Sequence, residues 1–146
     1  MLAPPRSFSQ LATTFIASQC QGIHRMHLVL DGNKVICEKN LNTFIGKTTF
    51  IASGMKVAHK LTDADNRLYV LSMKRLNLFN LVPALYAIYS GKPIENNDYI
   101  SFTYAAIIEA TRCETNNEVE FDGDPQGYLP CRISIAHAKL EIIADE

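Results

Sequence analysis

Along most of this chain, apolar and β-branched side chains come in short runs separated by Asn, Asp, Gly and Pro, the pattern of many strands with frequent turns. The clearest unit extends from His24 to Glu38. Met26, Leu28, Val29 and Leu30 lead into Asp31-Gly32-Asn33, and Val35-Ile36-Cys37 lead out, which predicts a β-hairpin. Further strands are expected from Phe44 to Ala52, Arg67 to Met73, Tyr99 to Thr111, Glu118 to Phe121, Arg132 to Ile135 and Lys139 to Ile143. Polar turns at Thr62 to Asn66, Asn116-Asn117, Asp122 to Gly127 and His137-Ala138 separate them.

Two stretches change to a helical period. Ser7 or Ser9 can cap a short helix running to about Cys20, with Leu11, Phe15 and Ile16 at helical spacing and Gly22 as its stop. In the second, Asn77 to Ser90, Asn80 can act as N-cap, Pro83 falls in the first turn, and Gly91 and Pro93 end the helix. Apolar residues, from Leu78 and Leu81 to Ile88 and Tyr89, wrap most of its circumference. Such a helix is either packed into the core or turns one face to a lipid or a partner domain. The expected fold class is mainly β: an antiparallel β-sandwich or barrel-like sheet with one inserted helix and a short N-terminal helix. Residues 1–22 read as a helical lead-in and residues 23–146 as the β-sandwich domain. The hexapeptide TTFIAS occurs at 13–18 and again at 48–53, but its flanks do not recur, so it is not a structural repeat.

Composition narrows the reading. A chain of 146 residues with 47% hydrophobic content supports one cored domain and is short for two. Its 14 basic and 15 acidic side chains, with no basic stripe, disfavour nucleic-acid binding. No apolar run approaches the roughly 18 residues of a membrane span, and the stretch from Met1 to Ser9 lacks the apolar core of a secretory signal. Four cysteines without a Cys-x-x-Cys pair fit reduced thiols. A cytoplasmic protein, at most peripheral to a membrane, is the expectation.

Candidate chemistry is sparse. Asp122-Gly123-Asp124 puts two carboxylates on one sharp turn, where nearby like charges can raise one pKa and suit proton acceptance or Mg²⁺ binding; the alternative is a solvated Asp-Gly hairpin. Asp63, Asp65 and Asn66 form an oxygen-rich turn that can hold a hard cation with help from carbonyls, or simply face solvent. Cys20, His24 and His27 invite zinc, but no fourth ligand is evident and odd spacing on a strand separates the two imidazoles. His59 and His137 lack a companion nucleophile.

In order along the chain, FIASGMKVAHKLTDADNRLYVL, NLVPALYAIYSGKP and VEFDGDPQGYLPCRISIAHAKLEII resemble the C-terminal domain of the diacylglycerol kinase and sphingosine kinase superfamily, with its bacterial lipid kinases. The resemblance covers about Ile23 to Ile143. It implies a β-sandwich packed against a separate N-terminal nucleotide-binding domain with a Gly-Gly-Asp-Gly-Thr signature, which this sequence lacks. It also implies that Asp124, in the place of a family Glu, is the catalytic proton acceptor, with Asp122 opening the turn. A structural or regulatory Mg²⁺ is implied at Asp65, with the carbonyls of Thr62 and Arg67. Asn66 stands where the family has Gly, and Met55, Lys56 and Val57 replace a glycine-rich run after Ser53-Gly54.

The function so implied is the C-terminal part of an ATP-dependent lipid kinase, inactive alone because the residues that cradle the nucleotide phosphates lie on the other half. Its partners would be that half and a lipid substrate, with peripheral membrane contact and a homodimer left open. The competing reading is a free-standing, non-catalytic module that binds a lipid or protein.

Overall fold

A computed structural model describes residues 24–51, 55–62, 64–74, 79–80, 83, 86, 91–113, 118–121 and 124–136. The expected N-terminal helix, the Lys139 to Ile143 strand, Cys20, Asp63, Asp122 and His137 lie outside these residues. Among the described residues ten strands follow one another: β1 (His24–Leu30), β2 (Asn33–Gly46), β3 (Phe50–Ile51), β4 (Met55–Lys56), β5 (Leu68–Lys74), β6 (Ile100–Ala105), β7 (Ile107–Cys113), β8 (Glu118–Phe121), β9 (Asp124–Tyr128) and β10 (Cys131–Ser134). Six form one antiparallel sheet in the order β10-β7-β1-β2-β5-β6, while β3-β4 and β8-β9 are separate hairpins. The mainly β, sandwich-like expectation is met.

The predicted first hairpin is present. Leu30 pairs with Asn33 across Asp31 (φ 49°) and Gly32 (φ 85°), two left-handed residues in succession. This is the backbone of a type I′ turn, whose twist matches that of the flanking strands.

Strand β2 differs from expectation. The sequence divides it after Glu38 and restarts a strand at Phe44, whereas it runs unbroken to Gly46. Its first part pairs with β1 and its second with β5, and the change of partner occurs at Asn40. Register shifts on both sides of Asn40, with Lys39 at φ 53°, mark bulges that bend the strand. Asn40 and Ser72 are buried at this bend, and both are satisfied: Thr43 Oγ1 donates to Asn40 Oδ1 (3.2 Å) and lies 3.2 Å from Ser72 Oγ. The remainder of the expected Phe44 to Ala52 strand breaks at Lys47–Thr49 and resumes as β3.

The expected strand from Tyr99 to Thr111 is two strands meeting at Ala106. They stand sixth and second in the sheet order, yet one residue, a Cα step of about 3.8 Å on either side, joins them. The sheet must therefore curl until its halves approach. Asp31 fixes this corner, its carboxylate accepting from the backbone N–H of Ala106 (3.0 Å) and Ile107 (2.8 Å) while its own N–H donates to the Ile107 carbonyl.

The core follows the strand alternation. Leu28, Leu30, Leu68, Val70, Ala105, Ile108 and Ala110 fill the concave face. On β5 the intervening Tyr69, Leu71 and Met73 face the other way and are buried under Val57, Leu61, Ile94 and Ile100, so this strand is buried on both faces.

Two smaller expectations are corrected. Asp124 to Gly127 is not turn but the start of β9, because Phe121 pairs directly with Asp124 and only Asp122-Gly123 lie between. Asn80 is not the N-cap, since Phe79 is already helical; Pro83 and Tyr86 are helical as predicted.

Candidate functional site

The turn before β5 is knitted around one carboxylate. Asp65 N–H donates to the Thr62 carbonyl (3.1 Å), and in return the Thr62 N–H (2.9 Å) and hydroxyl (3.0 Å) donate to Asp65 Oδ2. Arg67 reaches Oδ1 at 3.1 Å, and Lys47 Nζ donates to the Asp65 carbonyl. These donors, the Thr62 backbone first and then Arg67, hold the Asp65 carboxyl down at about 2, so it is anionic at neutral pH. Asn66 keeps negative φ, so replacing a glycine here requires no left-handed backbone.

The donor types at this turn, an ionised carboxylate with neighbouring carbonyl oxygens, are those that suit a hard divalent cation. The fit is competitive, because the exposed Arg67 guanidinium now neutralises Oδ1. The same guanidinium lies 5.7 Å from the Tyr104 ring centroid, and Tyr104 Oη accepts from the Lys60 N–H, which ties the turn to β6.

Beside the turn is an open cleft of about 500 Å³ lined by Lys47, Thr48, Thr49, Phe50, His59, Leu61 and Thr62. Its floor rests on Tyr69, which is fully buried and donates from Oη to the Thr48 carbonyl (3.1 Å). Burial pushes the Tyr69 phenol up, so it stays a neutral donor. His59 lies tilted against Tyr69, with ring centroids 5.5 Å apart, and accepts the Leu61 N–H at Nδ1, which leaves Nε2 as the ring's N–H donor when the imidazole is neutral. That Nε2 is buried with no hydrogen-bond partner.

Asp124 is exposed at the first position of β9, opposite Phe121. It belongs to a hairpin that shares no ladder with the strand following the Asp65 turn. Among the described residues, no hydrogen bond or ion pair brings these two candidates together, and no group of three His, Cys, Asp or Glu is placed to hold a metal ion. Sequence reading identified Asp65 but missed Lys47, Tyr69 and Asp31. Only Asp31, in its Asp-Gly turn, carried a local signal; the others act through contacts distant in sequence.

The family profile described as the YegS C-terminal NAD kinase beta sandwich-like domain matches residues 8–144. The chain belongs to this family. The YegS-type assignment agrees with the resemblance to the C-terminal domain of the diacylglycerol kinase superfamily carried by the sequence. The crystal structure of a "putative diacylglycerol kinase" from Bacillus anthracis str. Sterne is similar in fold, with a TM-score of 0.62 and 16% identity over 90% of this chain. The YegS-type chain spans 45% of that protein's length. No curated protein matches it significantly. Among the described residues, no helix is long and apolar enough to cross a membrane.

Proposed function

We propose that this chain is the C-terminal half of an ATP-dependent lipid kinase of the diacylglycerol or sphingosine type. The family match over residues 8–144, together with a fold likeness that spans under half of a longer relative, supports this reading. The nucleotide-binding half holds ATP, and this half supplies one wall of the cleft and a proton acceptor. Asp124, with Asp122 opening its turn, takes the proton from the lipid hydroxyl as the hydroxyl oxygen bonds to the γ-phosphorus and ADP leaves. Asp65, with the Thr62 and Arg67 carbonyls, would hold a structural Mg²⁺ in this scheme, whose charge would stiffen the entry to β5.

The experiment is reconstitution. The purified chain is mixed with, or fused to, a nucleotide-binding half of the family, and transfer of labelled γ-phosphate from ATP to diacylglycerol or a sphingoid base is measured. Product that depends on both halves is expected. No product from a folded, associated pair overturns the proposal, as does product from this chain alone.

A further inference from the structure

Among the described residues, one buried side-chain polar atom has no hydrogen-bond partner, and it is His59 Nε2. Buried donors are nearly always satisfied, so an exception calls for the group that completes it. The Leu61 N–H occupies Nδ1 (3.2 Å), which leaves Nε2–H as the donor of the neutral ring, and the contact with buried Tyr69 holds that ring in place. His59 lines the cleft of about 500 Å³, a volume within the roughly 300–1,000 Å³ of small-molecule sites.

The other lining groups indicate the charge of an occupant. None of the seven lining residues is acidic, and Lys47 brings a positive charge. Asp65, tied to the lining residue Thr62, has its own charge offset by Arg67 at 3.1 Å. Of the three lining hydroxyls, that of Thr48 donates to the Phe50 carbonyl and that of Thr62 to Asp65, which leaves Thr49 as the hydroxyl donor for a ligand. Strand β3, which carries Phe50, is two residues long and pairs only with β4, so this wall can adjust around an occupant without disturbing the six-stranded sheet. We infer that the cleft binds a phosphate-type oxyanion, one oxygen accepting from His59 Nε2 and another from the Thr49 hydroxyl, while Lys47 balances its charge. The site requires no phosphoryl transfer, so it stands or falls separately from the function proposed above.

The probe is inorganic phosphate, titrated into the full chain at constant ionic strength with chloride as the control. Long-range ¹H–¹⁵N spectra of the imidazoles should show His59 shifting saturably. His59→Phe keeps a ring against Tyr69 but removes the donor, and should weaken binding about ten-fold or more, the contribution of a hydrogen bond to a charged acceptor. Thr49→Val should weaken it as well, with the melting temperature unmoved. Dihexanoyl phosphatidic acid distinguishes the source of the oxyanion: tighter binding through the same two residues makes a lipid head group the occupant, and binding no tighter than phosphate makes it the free ion. No saturable shift at His59, an equal response to chloride, acetate binding as tightly as phosphate, or undiminished binding in His59→Phe overturns the inference. Should His59→Phe fail to fold, Thr49→Val decides, and undiminished binding there overturns it equally.

Discussion

Asp65 acts through the groups that donate to it. Its carboxyl is held at about 2 against an ordinary value of 3.8, so the folded state binds that proton more weakly than the unfolded chain does. The associated stability is present above about pH 4 and is lost as pH falls toward 2. Melting temperatures of the parent and Asp65→Asn should therefore converge on acidification through this window, while parallel curves would show that the turn does not report on folding. A divalent ion bound here would have to share this carboxylate with Arg67. Calorimetric titration should show Mg²⁺ heat that disappears in Asp65→Ala and tightens several-fold in Arg67→Gln; an unchanged isotherm in both removes the ion from this turn. Asp31 has a different task, because its carboxylate accepts two backbone N–H groups at the β6–β7 corner from a left-handed position. Hydrogen bonds to a charged acceptor contribute about 1.5–3 kcal/mol each when buried, and less at this exposed turn. Asp31→Ala should cost about 1–2 kcal/mol in chemical denaturation, and Asp31→Asn, which keeps an acceptor and tolerates positive φ, about half as much.

Among the elements, the first hairpin was legible because its evidence is local: an Asp-Gly turn between two apolar runs. The unity of β2 was not, because its bend at Lys39-Asn40 has the polar composition of a loop, and only pairing with β1 on one side and β5 on the other keeps it a strand. The division at Ala106 was hidden for the opposite reason. Its neighbours remain apolar and β-favouring on both sides, and the break comes from the curl of the whole sheet. Nor could sequence show that Gly46 is a packing residue. A Cβ there would lie 2.8 Å from Tyr69 Oη and 3.0 Å from the adjoining ring carbon, and the buried ring has little room to yield. Overpacking of this kind costs about 1–3 kcal/mol. Gly46→Ala should destabilise by that amount in urea melts. In the Tyr69→Phe background, which removes the nearest atom, the penalty should fall by more than half, because residues in contact are not additive. Equal penalties in both backgrounds would show that the contact is not what constrains Gly46.

At the scale of the molecule, the two candidate acids belong to different ladders, Asp65 to the turn that enters β5 of the six-stranded sheet and Asp124 to the β8–β9 hairpin. Sequence could flag both acids from turn composition but not that they fall on different ladders, which depends on how the strands pair. In the function proposed above, Asp65 serves the scaffold and Asp124 meets substrate only when a second domain completes the cleft. The isolated chain should accordingly give no lipid phosphate above background, since positioning the nucleotide phosphates is most of phosphoryl-transfer catalysis. With the other half supplied, Asp124 becomes testable. It is exposed, and changes at such surface positions usually stay within about ±0.5 kcal/mol. Loss of a general base costs ~10²–10⁴-fold in rate. Asp124→Asn in the reconstituted enzyme should leave the melting temperature in place while kcat falls by at least two orders of magnitude, with KM for ATP little changed because the proposed function puts the nucleotide on the other half. Activity within a few-fold of the parent would remove Asp124 as the base. A lowered melting temperature with proportionate loss of activity would instead make it a structural residue of the hairpin.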